Sequence, residues 1–169
     1  SSTASDVYKR QNWASKDKAP VIFHIQDNGY AISVPIKEQT SGESVYNICS
    51  GYENLSRFDV DGTNFFESHL AFKKAIERAR KGLGPSVIVS KVVRLLPHSS
   101  SDDQRKYRDE KSLNDDLKKD PLLILESICI DAKFINADEF AKIRMRVDKD
   151  VDSDSAWAEE QDFPEPSTA

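Results

Sequence analysis

The sequence predicts an α/β fold: a parallel sheet with flanking helices, followed by C-terminal helices. Short apolar runs of strand length alternate along the chain with longer segments whose apolar residues recur at helical spacing. The run at 21–25 is nearly continuously apolar, which is typical of a strand covered on both faces in a parallel sheet. A strand, a helix and another strand then follow one another within 57–93, the order of a β-α-β unit, for which a right-handed crossover is expected.

The β-α-β unit is predicted from its strand runs and from the signals that start its helix. Residues 57–60 form the first strand and residues 86–93 the second. Between them a helix spans 64–81. Asn64 can cap its start, and Glu67 completes a capping box. The apolar residues expected to share its buried face are Phe65, Phe72, Ile76 and Ala79.

Two more helices are predicted after the last strand. The first covers 122–132, because Asp120 can cap it and a proline follows in its first turn. The second begins after Asn136, where Glu139 again completes a capping box. Its apolar stripe, at spacings of three and four, predicts packing against the sheet or a partner subunit. The stripe comprises Phe140, Ile143, Val147 and Val151.

Composition divides the chain into four segments. Residues 1–12 are polar and aperiodic, so we expect a disordered or foreign end. Residues 13–120 hold a partial domain, and residues 121–152 hold the C-terminal helices of the same domain. Residues 153–169 are rich in acidic residues and proline, which predicts an acidic linker or tail.

The charge and cysteine content argue against several classes of protein. The 169 residues include 24 Lys and Arg against 29 Asp and Glu, a net charge of −5. A nucleic-acid-binding protein needs a clustered basic face, and a membrane span needs about 18 consecutive apolar residues; the sequence has neither. Cys49 and Cys129 are too few for a disulfide scaffold or a zinc site. They predict a reducing compartment, with both side chains buried.

The loop after the first strand has two interpretations. Asn28-Gly29 between two apolar arms is the usual signal for a tight hairpin turn. The alternative is a site for Mg²⁺ and a diphosphate, because the Asn28 side chain and the Tyr30 main-chain carbonyl offer the hard oxygen ligands that Mg²⁺ prefers. In open parallel sheets, ligands bind beyond the carboxyl ends of the strands.

The loop at 94–109 opens on the same edge if the sheet is parallel. Its polar composition fits a solvated, mobile surface loop. Its length favours a function, because structureless connections of more than about a dozen residues are uncommon within a domain. His98 can exchange protons near neutral pH, and Arg94 and Arg108 can each hold a carboxylate or phosphate.

Four segments carry a resemblance to a known family. They are IQDNGYAISVP at 25–35, FDVDGTN at 58–64, ERARKGLGPSVI at 77–88 and RLLPHSSSDDQRKYR at 94–108. In this order and spacing they resemble the alpha side of the decarboxylating component of thiamine-diphosphate-dependent 2-oxoacid dehydrogenases. The likeness is closest to the branched-chain type and to bacterial forms with fused alpha and beta parts, and the chain resembles a fragment of that alpha side.

The resemblance implies thiamine diphosphate and Mg²⁺ as cofactors, bound at the first loop. Asn28 matches a Mg²⁺ ligand through its side chain, and Tyr30 matches one through its main-chain carbonyl. Ile32 matches an apolar residue that lies against the cofactor. Asp27 replaces the first of the two asparagines that close the family's motif, and the Gly-Asp-Gly that opens the motif is not in this sequence.

The second loop matches the family's active-site loop. His98 matches the histidine that contacts the diphosphate end of the cofactor and assists acyl transfer to lipoamide. Ser99 matches the serine that is phosphorylated in mitochondrial members, and Pro97 stands where those members have an additional histidine. The loop scaffold, which must be ordered for the lipoyl domain to dock, is matched by Arg94, Asp102, Tyr107 and Arg108.

The implied function is oxidative decarboxylation of a 2-oxo acid, with acyl transfer to lipoamide, in a 2-oxoacid dehydrogenase complex. The implied partners are the beta part, the lipoyl domain of the acyltransferase and the 2-oxo acid. The beta part supplies the glutamate that activates the cofactor, so this fragment alone is expected to be inactive. The expected location is the bacterial cytoplasm, or the mitochondrial matrix in a eukaryote. Two alternatives stay open: an acetoin dehydrogenase-type relative and a non-catalytic assembly module.

Overall fold

The computed structural model describes residues 2–165 and 167, and the side chains at 9–42, 44–165 and 167. The helices are α1 (Ser2–Lys16), α2 (Ile36–Gln39), α3 (Val45–Ile48), α4 (Phe65–Arg80), α5 (Glu110–Leu117), α6 (Pro121–Asp131) and α7 (Ala137–Glu159). The strands are β1 (Ile22–Asp27), β2 (Tyr30–Ala31), β3 (Val34–Pro35), β4 (Ser56–Asp61) and β5 (Ser86–Lys91). The chain divides into two compact units, 1–125 and 126–169, with the boundary inside α6.

A parallel sheet organises the first unit. Its strand order is β1-β5-β4, and both neighbours run parallel to the central strand. Ile22 and Ser56 both pair with Ser86, so the three strands begin at the same level. The α/β fold and its parallel sheet are therefore confirmed. The predicted strands are present with ends shifted by one or two residues.

The core lies on both faces of β5, because successive side chains of a strand point to opposite faces. Val87 and Val89 pack with Cys49 on one face. Ile88 packs against α4 on the other. Cys49 is buried as predicted, whereas Cys129 is only half-buried, so that prediction was wrong for Cys129.

Helix α4 begins at the predicted cap, and its predicted apolar face is confirmed in part, because Phe72 packs against the core and Ala79 is half-buried. The Asn64 side chain accepts hydrogen bonds from the main chain of the first turn, as expected, while Glu67 accepts from the Asp61 N–H and does not close a capping box. The buried residues are Ala71 and Ala75. Small side chains let a helix approach the sheet closely, so the larger Phe65 (52% exposed) and Ile76 (38% exposed) point outward.

Both chain ends hold more helix than composition suggested. Residues 2–12 were expected to be disordered or foreign, yet they lie in α1, where Gln11 is fully buried and accepts a hydrogen bond from the Cys49 thiol at 3.2 Å. The predicted tail also differs, because α7 continues through 153–159. The capping box of α7 forms as predicted, and no glycine or proline stands between Ala137 and Phe163 to end the helix earlier.

None of the helices in the described residues has the length and apolar character needed to cross a membrane.

Candidate active-site edge

The loops that follow β1 and β5 share one edge of the sheet. Asp27 and Lys91 end their strands as a pair, and the Val92 N–H donates to the Asp27 carbonyl at 2.9 Å. The prediction that the two loops open on the same edge is thus confirmed. A cleft of about 180 Å³ lies beside Asn28 and Tyr30 at the end of β1.

The first loop consists of two turns, and in each a side-chain oxygen accepts a hydrogen bond from the main chain two residues later. The Gly29 N–H donates to the Asp27 carboxylate at 3.0 Å, and the Tyr30 N–H donates to the Asn28 side-chain oxygen at 3.0 Å. Gly29 has a φ of +76°, which glycine adopts readily. The tight-hairpin interpretation of Asn28-Gly29 was wrong: β2 pairs with β3, and the chain reverses at Ile32, whose φ is +58°.

Two oxygen atoms of this loop suit a hard cation. In the antiparallel β2–β3 ladder, Tyr30 opposes Pro35, and the Ile36 N–H donates to the Gly29 carbonyl at 2.8 Å. Hydrogen-bonded and non-hydrogen-bonded pairs alternate, so the Tyr30 carbonyl faces away from β3. The Asn28 side-chain oxygen accepts one hydrogen bond and keeps a second lone pair. Both atoms fit the ligand preference of Mg²⁺.

The described residues offer no cluster of side chains that would bind a different kind of metal ion. Among the described residues, no three or more His, Cys, Asp or Glu side chains are grouped as metal ligands. The fit therefore rests on the amide oxygen of Asn28 and the main-chain oxygen of Tyr30, an oxygen pair of the hard kind. The Ile32 side chain, which was matched to a cofactor contact, is 56% exposed beside this loop.

Arg94 ties the second loop to the first. Its guanidinium donates to the Ile32 carbonyl at 2.7 Å and to the Tyr107 hydroxyl at 2.6 Å. The same group lies 5.4 Å from the centre of the Tyr30 ring and 5.6 Å from that of Tyr107. A guanidinium at these distances is attracted to the ring faces. Arg94 therefore joins its own loop to the first loop through two contacts, with the Ile32 carbonyl and the Tyr30 ring.

Arg108 also lies against the Tyr30 ring. Its side chain is 1% exposed and forms an ion pair with Asp116 on α5. It also donates to the Arg94 carbonyl at 3.0 Å, and its guanidinium carbon lies 5.3 Å from the Tyr30 ring centre. Arg108 thus holds a carboxylate, as its residue type allowed, but that carboxylate belongs to Asp116 of the same chain, so the charge of this buried group is balanced within the chain.

The Asp102 carboxylate accepts two hydrogen bonds within the second loop. The Tyr107 hydroxyl donates to the Asp102 carboxylate at 2.6 Å, and the His98 N–H donates to the same oxygen at 2.9 Å. The imidazole of His98 itself is exposed. Ser99 is exposed too, and its hydroxyl lies 3.2 Å from that of Ser101. The structure thus brings Tyr30, Arg94, Asp102, Tyr107 and Arg108 into one network and presents His98 and Ser99 at its surface.

The order of this loop should depend on acid pH. Hydrogen bonds from the Tyr107 hydroxyl and the His98 main chain hold the pKa of Asp102 below its usual range. A carboxyl whose folded-state pKa is lowered stabilises the fold fully above its unfolded pKa of about 3.9, and this contribution is lost as pH falls through the lowered value. We expect pepsin to cleave the 94–108 loop of the full-length protein faster as pH drops below about 4.

The matched variant for this experiment is Asp102→Asn. The variant protein should be cleaved rapidly at every pH, because it lacks the charged carboxylate that accepts both hydrogen bonds in the wild type. Equal pH profiles for the wild type and the variant would contradict a role for Asp102 in ordering the loop.

The network was visible in the sequence only in part. Asp116, which balances Arg108, was not singled out. Arg108, Ser112 and Asp116 are spaced four residues apart, which places side chains on one side of a helix. The Ser112 hydroxyl accepts from Arg108 at 3.5 Å, so this spacing was the available signal.

Comparisons with known proteins identify the family of this chain. A family model described as "Dehydrogenase E1 component" matches residues 1–167. The 2-oxoisovalerate dehydrogenase subunit alpha of Bacillus subtilis (strain 168) is 39% identical over 127 residues, which cover 75% of this chain and 38% of the relative. The pyruvate dehydrogenase E1 component subunit alpha of Acholeplasma laidlawii is 32% identical over 143 residues, covering 84% and 41%.

A third relative is of the branched-chain type. The 3-methyl-2-oxobutanoate dehydrogenase subunit alpha of Mycobacterium tuberculosis (strain ATCC 25618 / H37Rv) is 32% identical over 117 residues, covering 69% of this chain and 32% of the relative. The chain thus spans about a third to two fifths of the length of these relatives. With a match to the family model across nearly its whole length, the chain belongs to the dehydrogenase E1 component family, in which its relatives are alpha subunits of 2-oxoacid dehydrogenases.

Proposed function

We propose that the full-length protein is the alpha part of a component that decarboxylates a 2-oxo acid and transfers the acyl group to lipoamide. The observation that carries the proposal is the Arg94 contact set, which joins the loop of Asn28 and Tyr30 to the loop of His98. A loop tied in this way keeps its surface side chains in one place for a ligand at the sheet edge. The family membership makes a 2-oxo acid the expected substrate.

The residues present fit the cofactors of this proposal. Asn28 and Tyr30 would hold Mg²⁺ through the two oxygens described above, and Ile32 would lie against the cofactor. Thiamine diphosphate, when bound, supplies the carbanion chemistry that the amino-acid side chains lack. The protein's own part is to orient the diphosphate, to exclude water and to move protons.

His98 is the proton-handling group in this proposal. Its exposed imidazole stands on the loop whose base is held by Asp102 and Tyr107. An imidazole can gain or lose a proton near neutral pH. In the assembled enzyme, His98 would contact the diphosphate end and assist acyl transfer as a proton donor and acceptor. Ser99, its exposed neighbour, would be the position where a phosphate interferes with that contact.

The proposed partners are the beta part, a lipoyl domain of the acyltransferase and the 2-oxo acid. The relatives at 39% and 32% identity named for branched-chain substrates support a branched-chain 2-oxo acid. Their bacterial sources support a cytoplasmic location. The fragment alone would be inactive, because the proposal takes the glutamate that activates the cofactor from the beta part.

The proposal is tested with the full-length alpha part and its beta part, with 2-oxoisovalerate, pyruvate and acetoin as alternative substrates. Decarboxylation is followed with an artificial electron acceptor, and transfer is followed as acylation of a lipoyl domain. We expect both reactions with a 2-oxo acid. Turnover of acetoin alone would favour the acetoin dehydrogenase-type alternative, and no turnover at all would favour a non-catalytic module.

His98→Gln should separate the two reactions. Glutamine keeps a polar side chain but cannot exchange the proton, so the ratio of transfer to decarboxylation should fall at least about tenfold. His69→Gln is the control, because His69 is exposed on α4 and stacks on Phe65, with no part in this edge. An unchanged ratio in His98→Gln would contradict the assignment of His98.

A further inference from the structure

We propose that Asp116 is a positioning residue for the cation site: it acts through buried Arg108 to hold Tyr30 where its carbonyl can bind Mg²⁺. The inference rests on the proposed function, since it concerns the same loop. Asp116 lies on α5, outside the loop that contains Asn28 and Tyr30.

The first step is the balance of a buried charge. The Arg108 side chain is 1% exposed, while its partner Asp116 is 22% exposed. A buried guanidinium without an opposing charge is strongly unfavourable. In the described part of the chain, Asp116 is the carboxylate that forms an ion pair with Arg108. Gln104 and Ser112 accept hydrogen bonds from the same guanidinium at 3.2 and 3.5 Å, but neither carries charge.

The second step is the contact of Arg108 with the cation loop. Its guanidinium carbon lies 5.3 Å from the Tyr30 ring centre, and Arg94 lies 5.4 Å from the same ring. Tyr30 is therefore held by two cations from the second loop. Arg108 also donates to the Arg94 carbonyl at 3.0 Å, which fixes one arginine relative to the other. Loss of the Asp116 charge would release Arg108 toward solvent and leave Tyr30 with one of its two cation contacts.

The third step is from the Tyr30 ring to its carbonyl. The ring and the carbonyl belong to one residue in a two-residue strand, and within the described residues β2 pairs with β3 alone. Such a short ladder resists displacement weakly. The ladder turns the Tyr30 carbonyl away from β3, and the ring contacts with Arg94 and Arg108 hold the residue in that place. Residues that contact a metal ligand and orient it, without touching the metal, change the metal affinity by about 10- to 100-fold when they are mutated.

The experiment uses the full-length alpha part with its beta part. Mg²⁺ is titrated by calorimetry in the presence of thiamine diphosphate, and circular dichroism reports the folded fraction. Asp116→Asn should raise the Kd for Mg²⁺ about tenfold. The control is Asp115→Asn, because Asp115 is the adjacent residue on α5, is exposed, and pairs with Lys118 at 2.8 Å. Its Kd should equal that of the wild type.

Two further variants separate positioning from a loss of folding. Asp116→Glu retains the charge and should recover most of the affinity. Tyr30→Leu removes the ring but keeps the main-chain carbonyl, so adding Asp116→Asn to it should cause no further rise in Kd. An unchanged Kd in Asp116→Asn, or a full further rise on the Tyr30→Leu background, would overturn the inference. A wild type that does not bind Mg²⁺ would overturn the proposed function as well, so the two failures are distinguishable.

Discussion

Under the proposed function, replacing Arg94 with methionine should lower both decarboxylation and acyl transfer by the full-length protein about 100-fold, because misplacing reacting groups by about 1 Å costs that much. Methionine keeps much of the side-chain length but removes the hydrogen bonds to the Ile32 carbonyl and the Tyr107 hydroxyl. The first loop should then lose two of its contacts with the second, those to the Ile32 carbonyl and the Tyr30 ring. The measurement is kcat/KM for each reaction, with the full-length alpha part assembled with its beta part.

The control for this variant is Arg105→Met in the same loop. Arg105 is 79% exposed and pairs with Asp103 within its own turn. Exposed pairs of this kind contribute little, about 0–1 kcal/mol. Its activity should stay near that of the wild type. Equal activities of the Arg94 and Arg105 variants would show that the loops are not joined through Arg94.

Replacing Arg108 with methionine should destabilise the full-length protein by about 3 kcal/mol, the cost of breaking a buried ion pair. The substitution leaves Asp116 without its partner and removes a donor from the Arg94 carbonyl. The measurement is the midpoint of urea unfolding. Arg144→Met is the control, because Arg144 is 48% exposed in its pair with Glu126. That exposed pair should cost less than about 1 kcal/mol.

A shift of similar size in both arginine variants would contradict the special position of Arg108. Loss of the ion pair without loss of stability would also mean that Asp116 does not balance a buried charge.

The sheet could be predicted because its strands carry their own signal. The run at 86–93 suits the buried central strand β5, whereas β1 is only partly buried and its His24 is exposed, so full cover of both faces was not reached there. The face of α4 could not be predicted in the same way. Large apolar residues suggest burial, and Phe72 does pack against the cluster around Ile88, but the buried positions of the helix are Ala71 and Ala75.

The site could be located more easily than it could be explained. The rule that ligands lie at the carboxyl ends of strands placed the loops of Asn28 and His98 together. Composition could not show what the arginines contact, because an arginine can bind an external anion or a buried carboxylate equally well. Asp116, eight residues beyond Arg108 in sequence, decides that question in the fold.

The chain ends show a different limit. Composition predicted disorder before residue 13 and a tail after residue 152. Composition alone, however, does not show where the residues that end a helix stand in the sequence. The absence of glycine and proline through 137–163 let α7 continue to Glu159. Helix α1 is held in part by Gln11, whose burial beside Cys49 depends on a contact 38 residues away.

The most direct test of the central claim is the binding of Mg²⁺ and thiamine diphosphate by the full-length alpha part assembled with its beta part. The wild type should bind both, and Asn28→Ala should weaken Mg²⁺ binding at least about tenfold, since it removes a ligand oxygen. Asn47→Ala is the control, because Asn47 is exposed and bonds only weakly to the Gly42 carbonyl, at 3.4 Å. Binding by Asn28→Ala as tight as that of the wild type would contradict the site at this edge of the sheet.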